Sequence, residues 1–148
     1  MVQIMFPSKQ LLSIEQEKQL VEAIDKAEEN NKGEVRVHLE KKCPTADALD
    51  RAEQLFFDLG MHHTEEGTAA LLYISIQSKK AAIYAGPGLY KSRQEDFWSA
   101  AIEKVVEGFK RNEPIEGIAN ALKEIGDVLR EIVPGESENQ LPNEVSTS

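Results

Sequence analysis

Apolar residues along this chain change their spacing several times, and each change marks an element. Leu20, Val21, Ile24 and Ala27 recur at helical intervals behind Ser13, with Gln16 three positions after the serine. That spacing is a capping box, in which each side chain satisfies an orphan main-chain N–H. The helical pattern stops at Asn30-Asn31-Lys32-Gly33, where Asn and Gly accept a left-handed turn. From Glu34 to Glu40 the period drops to two. Val35, Val37 and Leu39 form one face and Arg36, His38 and Glu40 the other. A strand with one polar face is expected at the periphery of a sheet.

Cys43-Pro44-Thr45 breaks the strand, and Thr45 or Asp47 is placed to cap a second helix carrying Leu49, Ala52, Phe56 and Leu59 up to Gly60. After the polar loop 61–67, the nearly unbroken apolar run 69–76 predicts a strand buried on both faces. The four residues 77–80 suit a hairpin turn, and 81–85 form the returning strand, stopped by Gly86-Pro87-Gly88. Ser92 is the expected cap of a third helix with Trp98, Ala101, Ile102, Val105 and Phe109 on its face. Pro114 opens a fourth, whose apolar stripe runs from Ile115 to Ile132 and ends at Pro134-Gly135. Residues 1–12 read as an irregular lead-in, 13–134 as one α/β domain, and 135–148 as a flexible tail rich in Ser, Asn, Glu and Pro.

The strand–helix–strand unit implies a right-handed crossover between parallel strands. The hairpin then makes the third strand antiparallel. The expected fold is an α/β/α sandwich around a small mixed sheet, and this arrangement gathers distant segments at two opposite sheet ends.

One end collects Lys41, Lys42, Cys43, Thr45, Lys79 and Lys80. A helix N-terminus there could receive an anion, and it could lower the Cys43 pKa. Lysines that solvate a loop and guard a sheet edge account for the same pattern, and an incidental reduced cysteine accounts for Cys43. The other end collects Glu34, the loop with Glu65 and Glu66, the turn with Gly86 and Gly88, and Asp96 at the start of the third helix. Carboxylates and carbonyl oxygens are the ligands that Ca²⁺ or Mg²⁺ takes, and glycines let loop carbonyls turn inward. Solvated acidic loops remain the alternative. Adjacent His62 and His63 have no Cys or His partner at metal-like spacing, which argues against zinc.

Composition narrows the partners. The chain of 148 residues has a formal net charge of -9 and a pI of about 4.9, which repels nucleic-acid phosphates and favours cations and basic partners. A single cysteine forbids an internal disulfide. No apolar run reaches the ~20 residues of a spanning helix, and no signal peptide is evident, so the cytoplasm is the expected location.

An ordered set of segments resembles the TPM domain family over about Leu12 to Pro134. The set comprises Gly33-Glu34-Val35-Arg36-Val37, Leu59-Gly60-Met61 with Thr64, and Leu71-Leu72-Tyr73-Ile74. It continues with Ile83-Tyr84-Ala85-Gly86-Pro87-Gly88-Leu89, Phe109-Lys110 and Gly117-Ile118, and Leu141 to Val145 is similar to a segment after some bacterial members. The resemblance implies an α/β/α sandwich and a divalent-cation site. It also implies calcium binding with weak acid phosphatase activity, as linked to plant relatives. Two departures stand in the way of carrying residues across. Tyr90 follows Leu89 where Glu is frequent, and Glu65-Glu66-Gly67-Thr68 fills a stretch where Asn or Asp is common. The expectation is therefore a divalent-cation-binding module without strong catalysis. The alternatives are a metal-assisted phosphatase, or a module that engages a protein partner through the tail and a sheet edge.

Overall fold

The alternation at residues 34–40 and the apolar run at 69–75 become the two neighbouring central strands of one sheet. The computed structural model describes residues 11–64, 66–136 and 145–148. Its elements in chain order are α1 (Ile14–Glu28), β1 (Glu34–Glu40), α2 (Ala48–Asp58), a 3₁₀ turn (Met61–His63), β2 (Ala69–Ser75) and β3 (Lys80–Ala85). The short α3 (Pro87–Tyr90), α4 (Glu95–Lys110), α5 (Pro114–Ile132) and β4 (Val145–Thr147) follow. The strand order is β3-β2-β1-β4. β1 and β2 are parallel, with Glu34 opposite Ala69 and Glu40 opposite Ser75. β2 and β3 form the antiparallel hairpin, from Ala70 opposite Ala85 to Ser75 opposite Lys80. The up, up, down arrangement is therefore as the sequence predicts.

The period-two alternation assigns each strand residue to a layer. Val35, Val37 and Leu39 of β1, with Leu72, Ile74 and Ile83, pack under α1, α4 and α5 around Leu20, Ile24, Trp98, Val105 and Leu122. Leu71, Tyr73 and Ala82 face the other way, against Ala52, Leu55 and Phe56 of α2. Helices thus cover both faces of the sheet. Backbones touch where α4 crosses α5, because a Cβ on Gly108 would stand 2.7 Å from the Gly117 Cα. The Ser13 box forms as expected, with Gln16 N–H donating to Ser13 Oγ at 3.1 Å and Ser13 N–H to Gln16 Oε1 at 3.0 Å. Asp47, not Thr45, caps α2.

Three expectations are corrected. β1 is not peripheral: it lies between β2 and β4, and every one of its residues is buried. The tail is not free throughout, since Val145–Thr147 pair in parallel with β1 as an edge strand, Val37 opposite Val145. An apolar Val at the start of a short polar segment is too weak a signal to announce a strand, and only the open β1 edge makes it one. Residues 137–144 of the expected flexible tail lie outside the described residues, as do residues 1–10 of the lead-in. Ser92 does not cap α4. Its hydroxyl donates to the Leu89 carbonyl at the end of α3, and Gln94 takes the cap position without a side-chain bond.

Candidate functional site

Because β1 and β2 are parallel and in register, the segments that precede them meet at one end of the sheet. Glu34 N–H donates to the Thr68 carbonyl at 3.1 Å. Gly86 N–H donates to the Ala69 carbonyl at 2.8 Å, and Leu89 N–H to the Gly67 carbonyl at 3.1 Å. The loop before β2 and the glycine turn after β3 are pressed together. A Cβ on Gly86 would lie 2.6 Å from the Gly67 carbonyl oxygen, and one on Gly88 would overlap the Glu66 carbonyl. Glu66 itself is exposed and left-handed, with φ of 49°.

The predicted set is thereby joined in part. The main chains of Glu66, Gly86 and Gly88 meet through the 66–67 loop, and Glu34 reaches this group only through the Thr68 carbonyl, on the other side of β2 from Gly86. Asp96 stands exposed in the first turn of α4, and among the described residues nothing ties it to Glu34. Glu65 lies outside the described residues. Among them, no three His, Cys, Asp or Glu side chains are gathered closely enough to hold a metal ion by themselves. His62 and His63 stack with ring centroids 3.9 Å apart and are both exposed.

The structure adds a residue that the strand pattern does not announce. Glu28, at the last turn of α1, is 2% exposed, as is Glu34. Its Oε2 accepts from Val35 N–H at 2.7 Å. Its Oε1 is buried with no hydrogen-bond partner among the described residues. Burial raises the Glu28 pKa from 4.5 to about 8, against the lowering effect of the Val35 N–H, and the neighbouring Glu34 carboxyl raises it further. Two carboxylates this close offer each other only acceptors, so a proton or a cation between them supplies the missing contact. A signal for Glu28 exists in the sequence: it continues the i, i+4 stripe Leu20–Ile24, a place where an unpaired carboxylate is out of character.

At the opposite end of the sheet, the polar face of β1 forms a second network. His38 Nδ1 meets Ser146 Oγ at 2.9 Å and its Nε2 meets Ser148 Oγ at 2.5 Å. Glu40 accepts from Arg51 Nε at 2.9 Å and Nη2 at 2.6 Å, from Tyr73 Oη at 2.7 Å, and from Ser148 Oγ at 2.8 Å. Burial lowers the His38 pKa to about 4, with the Glu40 charge opposing. Burial alone would raise Glu40, but its donors, Arg51 first, hold it down at about 2. The imidazole is neutral at pH 7 and fastens β4 to β1. Both of its ring nitrogens meet serine hydroxyls of the last four residues, Nδ1 at Ser146 and Nε2 at Ser148. Cys43 lies beside this network, its Sγ 3.3 Å from the Thr45 carbonyl. Burial opposes thiolate formation, but hydrogen bonds from Thr45 and Tyr73 outweigh it, and the pKa is lowered. Lys80 Nζ is engaged with the Ala46 carbonyl at 2.8 Å.

With the two sheet ends defined, comparison with known proteins decides the family. Residues 6–128 match the family model described as the TPM domain. The chain belongs to the TPM domain family. This TPM domain is similar to the BA42 protein of the psychrophilic bacterium Bizionia argentinensis, with 32% identity and a TM-score of 0.83 over 94% of this chain and 97% of that one. It shares its fold with the N-terminal domain of a P. gingivalis protein, with 18% identity, a TM-score of 0.68, and coverage of 83% and 79%. The N-terminal domain of a Corynebacterium glutamicum protein has the same fold at 12% identity, with a TM-score of 0.64 over 86% and 80%. No functionally curated protein matches the chain. No helix among the described residues of this TPM domain is long and apolar enough to cross a membrane.

Proposed function

We propose that this TPM domain is a divalent-cation-binding module without strong catalysis, taking Ca²⁺ or Mg²⁺ at the sheet end formed by Glu34 and the glycine turns. The observation that carries the reading is the buried Glu28–Glu34 carboxyl pair, in which Glu28 Oε1 has no donor when both groups are ionised. A hard cation prefers such oxygens and completes its shell with carbonyls and water. The carbonyls of Glu66, Gly67 and Thr68 lie on the β2 side of β1, across Glu34 from Glu28, and are proposed as further donors. Gly86 and Gly88 contribute by admitting the loop against the turn, since any side chain there would displace its carbonyls. Asp96 lends charge at a distance.

This reading makes binding release a proton, because the ion replaces the one that Glu28 holds at pH 7. The test is calorimetric titration with CaCl₂ and MgCl₂ in two buffers of different ionisation heat, with backbone NMR on the same samples. Saturable binding is expected, with about one proton released at pH 7, shifts centred on Glu34 and residues 66–68, and loss of both in Glu34→Gln. Turnover of an aryl phosphate is expected to stay at background with either ion. A response that does not saturate at millimolar ion, or one that persists in Glu34→Gln, removes the proposal.

A further inference from the structure

The sheet has an edge that its own surface chemistry leaves open. β3 pairs with β2 alone among the described residues. The register fixes which main-chain groups are used. Gly86 N–H reaches the Ala69 carbonyl, so alternate residues of β3 (Ala82, Tyr84) point their N–H and C=O at β2, while those of Ala81, Ile83 and Ala85 point outward. An exposed edge is ordinarily blunted by proline, a bulge or inward-facing charge. β3 has no proline and no break in register, and Lys80 stands at one end only.

This edge is the floor of a cleft of about 740 Å³, walled by Leu49 and Phe57 of α2 on one side and by Tyr90, Trp98 and Ile102 on the other. A second hollow of about 360 Å³, which shares Ala81 with the first, lies beside Lys79 and Lys80 and Val106, Phe109 and Lys110 of α4. Five large hydrophobic residues are conspicuously exposed among the described residues, and four of them flank this run: Leu49 at 47%, Phe57 at 47%, Tyr90 at 50% and Val106 at 37%. Apolar area concentrated along one open strand marks a binding groove rather than scattered surface. Its two ends differ in charge. Lys79, Lys80 and Lys110 stand where β3 begins. Glu95 stands where it ends, held by the Tyr90 hydroxyl at 2.7 Å. Asp47, whose Oδ1 accepts from Leu49 N–H, lies near the lysine end, where its one negative charge is outnumbered by three lysines.

We propose that β3 takes an extended segment of a partner protein as a fifth strand, antiparallel to β3, with alternate apolar side chains in the cleft. The segment is basic at its N-terminal end, beside Glu95, and acidic at its C-terminal end, beside Lys79, Lys80 and Lys110. Antiparallel pairing places the segment's charges opposite their complements at both ends, and it is the more stable ladder per residue. Main-chain bonds supply affinity in such strand addition, and side-chain pockets supply selectivity. A second copy of the chain is the poorer occupant. Its own edge lies between the same two walls, so helix would meet helix before the ladders came within the ~4.8 Å of paired strands.

The test uses the full chain and a synthetic heptapeptide, acetyl-Lys-Val-Thr-Ile-Thr-Val-Glu-amide, with its charge-swapped counterpart as control. Saturable NMR shifts are expected at Ala81, Ile83 and Ala85, and slowed hydrogen exchange of those three amides. The charge-swapped peptide is expected to bind about tenfold more weakly. Ala81→Pro removes one outward N–H and leaves the β2 ladder untouched, as edge prolines do, so it is expected to abolish binding while the remaining spectrum persists. Glu95→Lys is expected to reverse the preference between the two peptides. The proposal is overturned if the shifts do not saturate at millimolar peptide, or if Ala81→Pro binds as well as the parent. It is also overturned if amides 81, 83 and 85 are already protected without peptide. Sedimentation showing a dimer that Ala81→Pro dissociates would assign the edge to a second copy, and protection lost on deleting residues 1–10 would assign it to the chain itself.

Discussion

Replacing Glu28 by Gln should flatten the pH dependence of stability, and the expected size follows from linkage. Gln keeps an oxygen for Val35 N–H, which Glu28 accepts at 2.7 Å, and its amide can donate to Glu34, so it imitates the protonated acid. In the parent, burial raises Glu28 from 4.5 in the unfolded chain to about 8 in the fold. The folded state therefore binds the proton more tightly. Below pH 4.5 both states are protonated and there is no penalty. Between 4.5 and about 8 the unfolded chain ionises and the folded one does not, so stability falls as pH rises, and above 8 the loss is complete. Each pH step inside the window costs about 1.4 kcal/mol. From pH 5 to pH 7 the parent should lose about 2–3 kcal/mol relative to Glu28→Gln, whatever the upper limit of the window. Urea unfolding followed by the fluorescence of Trp98, the single tryptophan, measures both at pH 5, 6 and 7. Parallel curves, with a difference changing by less than about 0.5 kcal/mol, would refute a shared proton at this site.

Three other expectations concern the packing and the opposite network. Gly117→Ala should destabilise by about 1–3 kcal/mol in thermal unfolding, because its Cβ would stand 2.7 Å from the Lys104 carbonyl and 2.8 Å from the Gly108 Cα, both backbone atoms. Arg51→Met should cost about 2–3 kcal/mol at pH 7 by stripping two charge-assisted bonds from Glu40. That cost should shrink as pH falls from 4.5 through 2, where the depressed Glu40 carboxyl gains its proton. Truncation after Glu136 removes Ser146 and Ser148 and opens His38 to water. Its pKa, lowered to about 4 by burial, should rise toward 6.5 in NMR titration. In the parent, the stability associated with neutral His38 is complete above 6.5 and lost as pH falls through 4.

Much of the architecture is legible in local pattern, because periodicity and caps are short-range properties. The box at Ser13, the alternation at 34–40, the unbroken apolar run of β2 and the stop at Pro134 each name their element, and the crossover rule then orders the three longer strands. The convergence of Glu34 with the 66–68 loop and the Gly86–Gly88 turn follows from that order alone. Neighbours distant in sequence are not written in any such pattern. Alternation reports only that the two faces of β1 differ; that α2 covers the face of His38 and Glu40, and that Ser146 and Ser148, more than a hundred residues later, bond to them, is not written in it. The stripe Leu20–Ile24–Glu28 marks Glu28 as out of place, but only the fold sets the Glu34 carboxyl against it. The one-dimensional chain thus determined the elements, their order and which main chains meet at the sheet end. The tertiary structure alone decided which charged groups lose their water, because desolvation depends on everything that packs around a side chain and not on its neighbours along the chain.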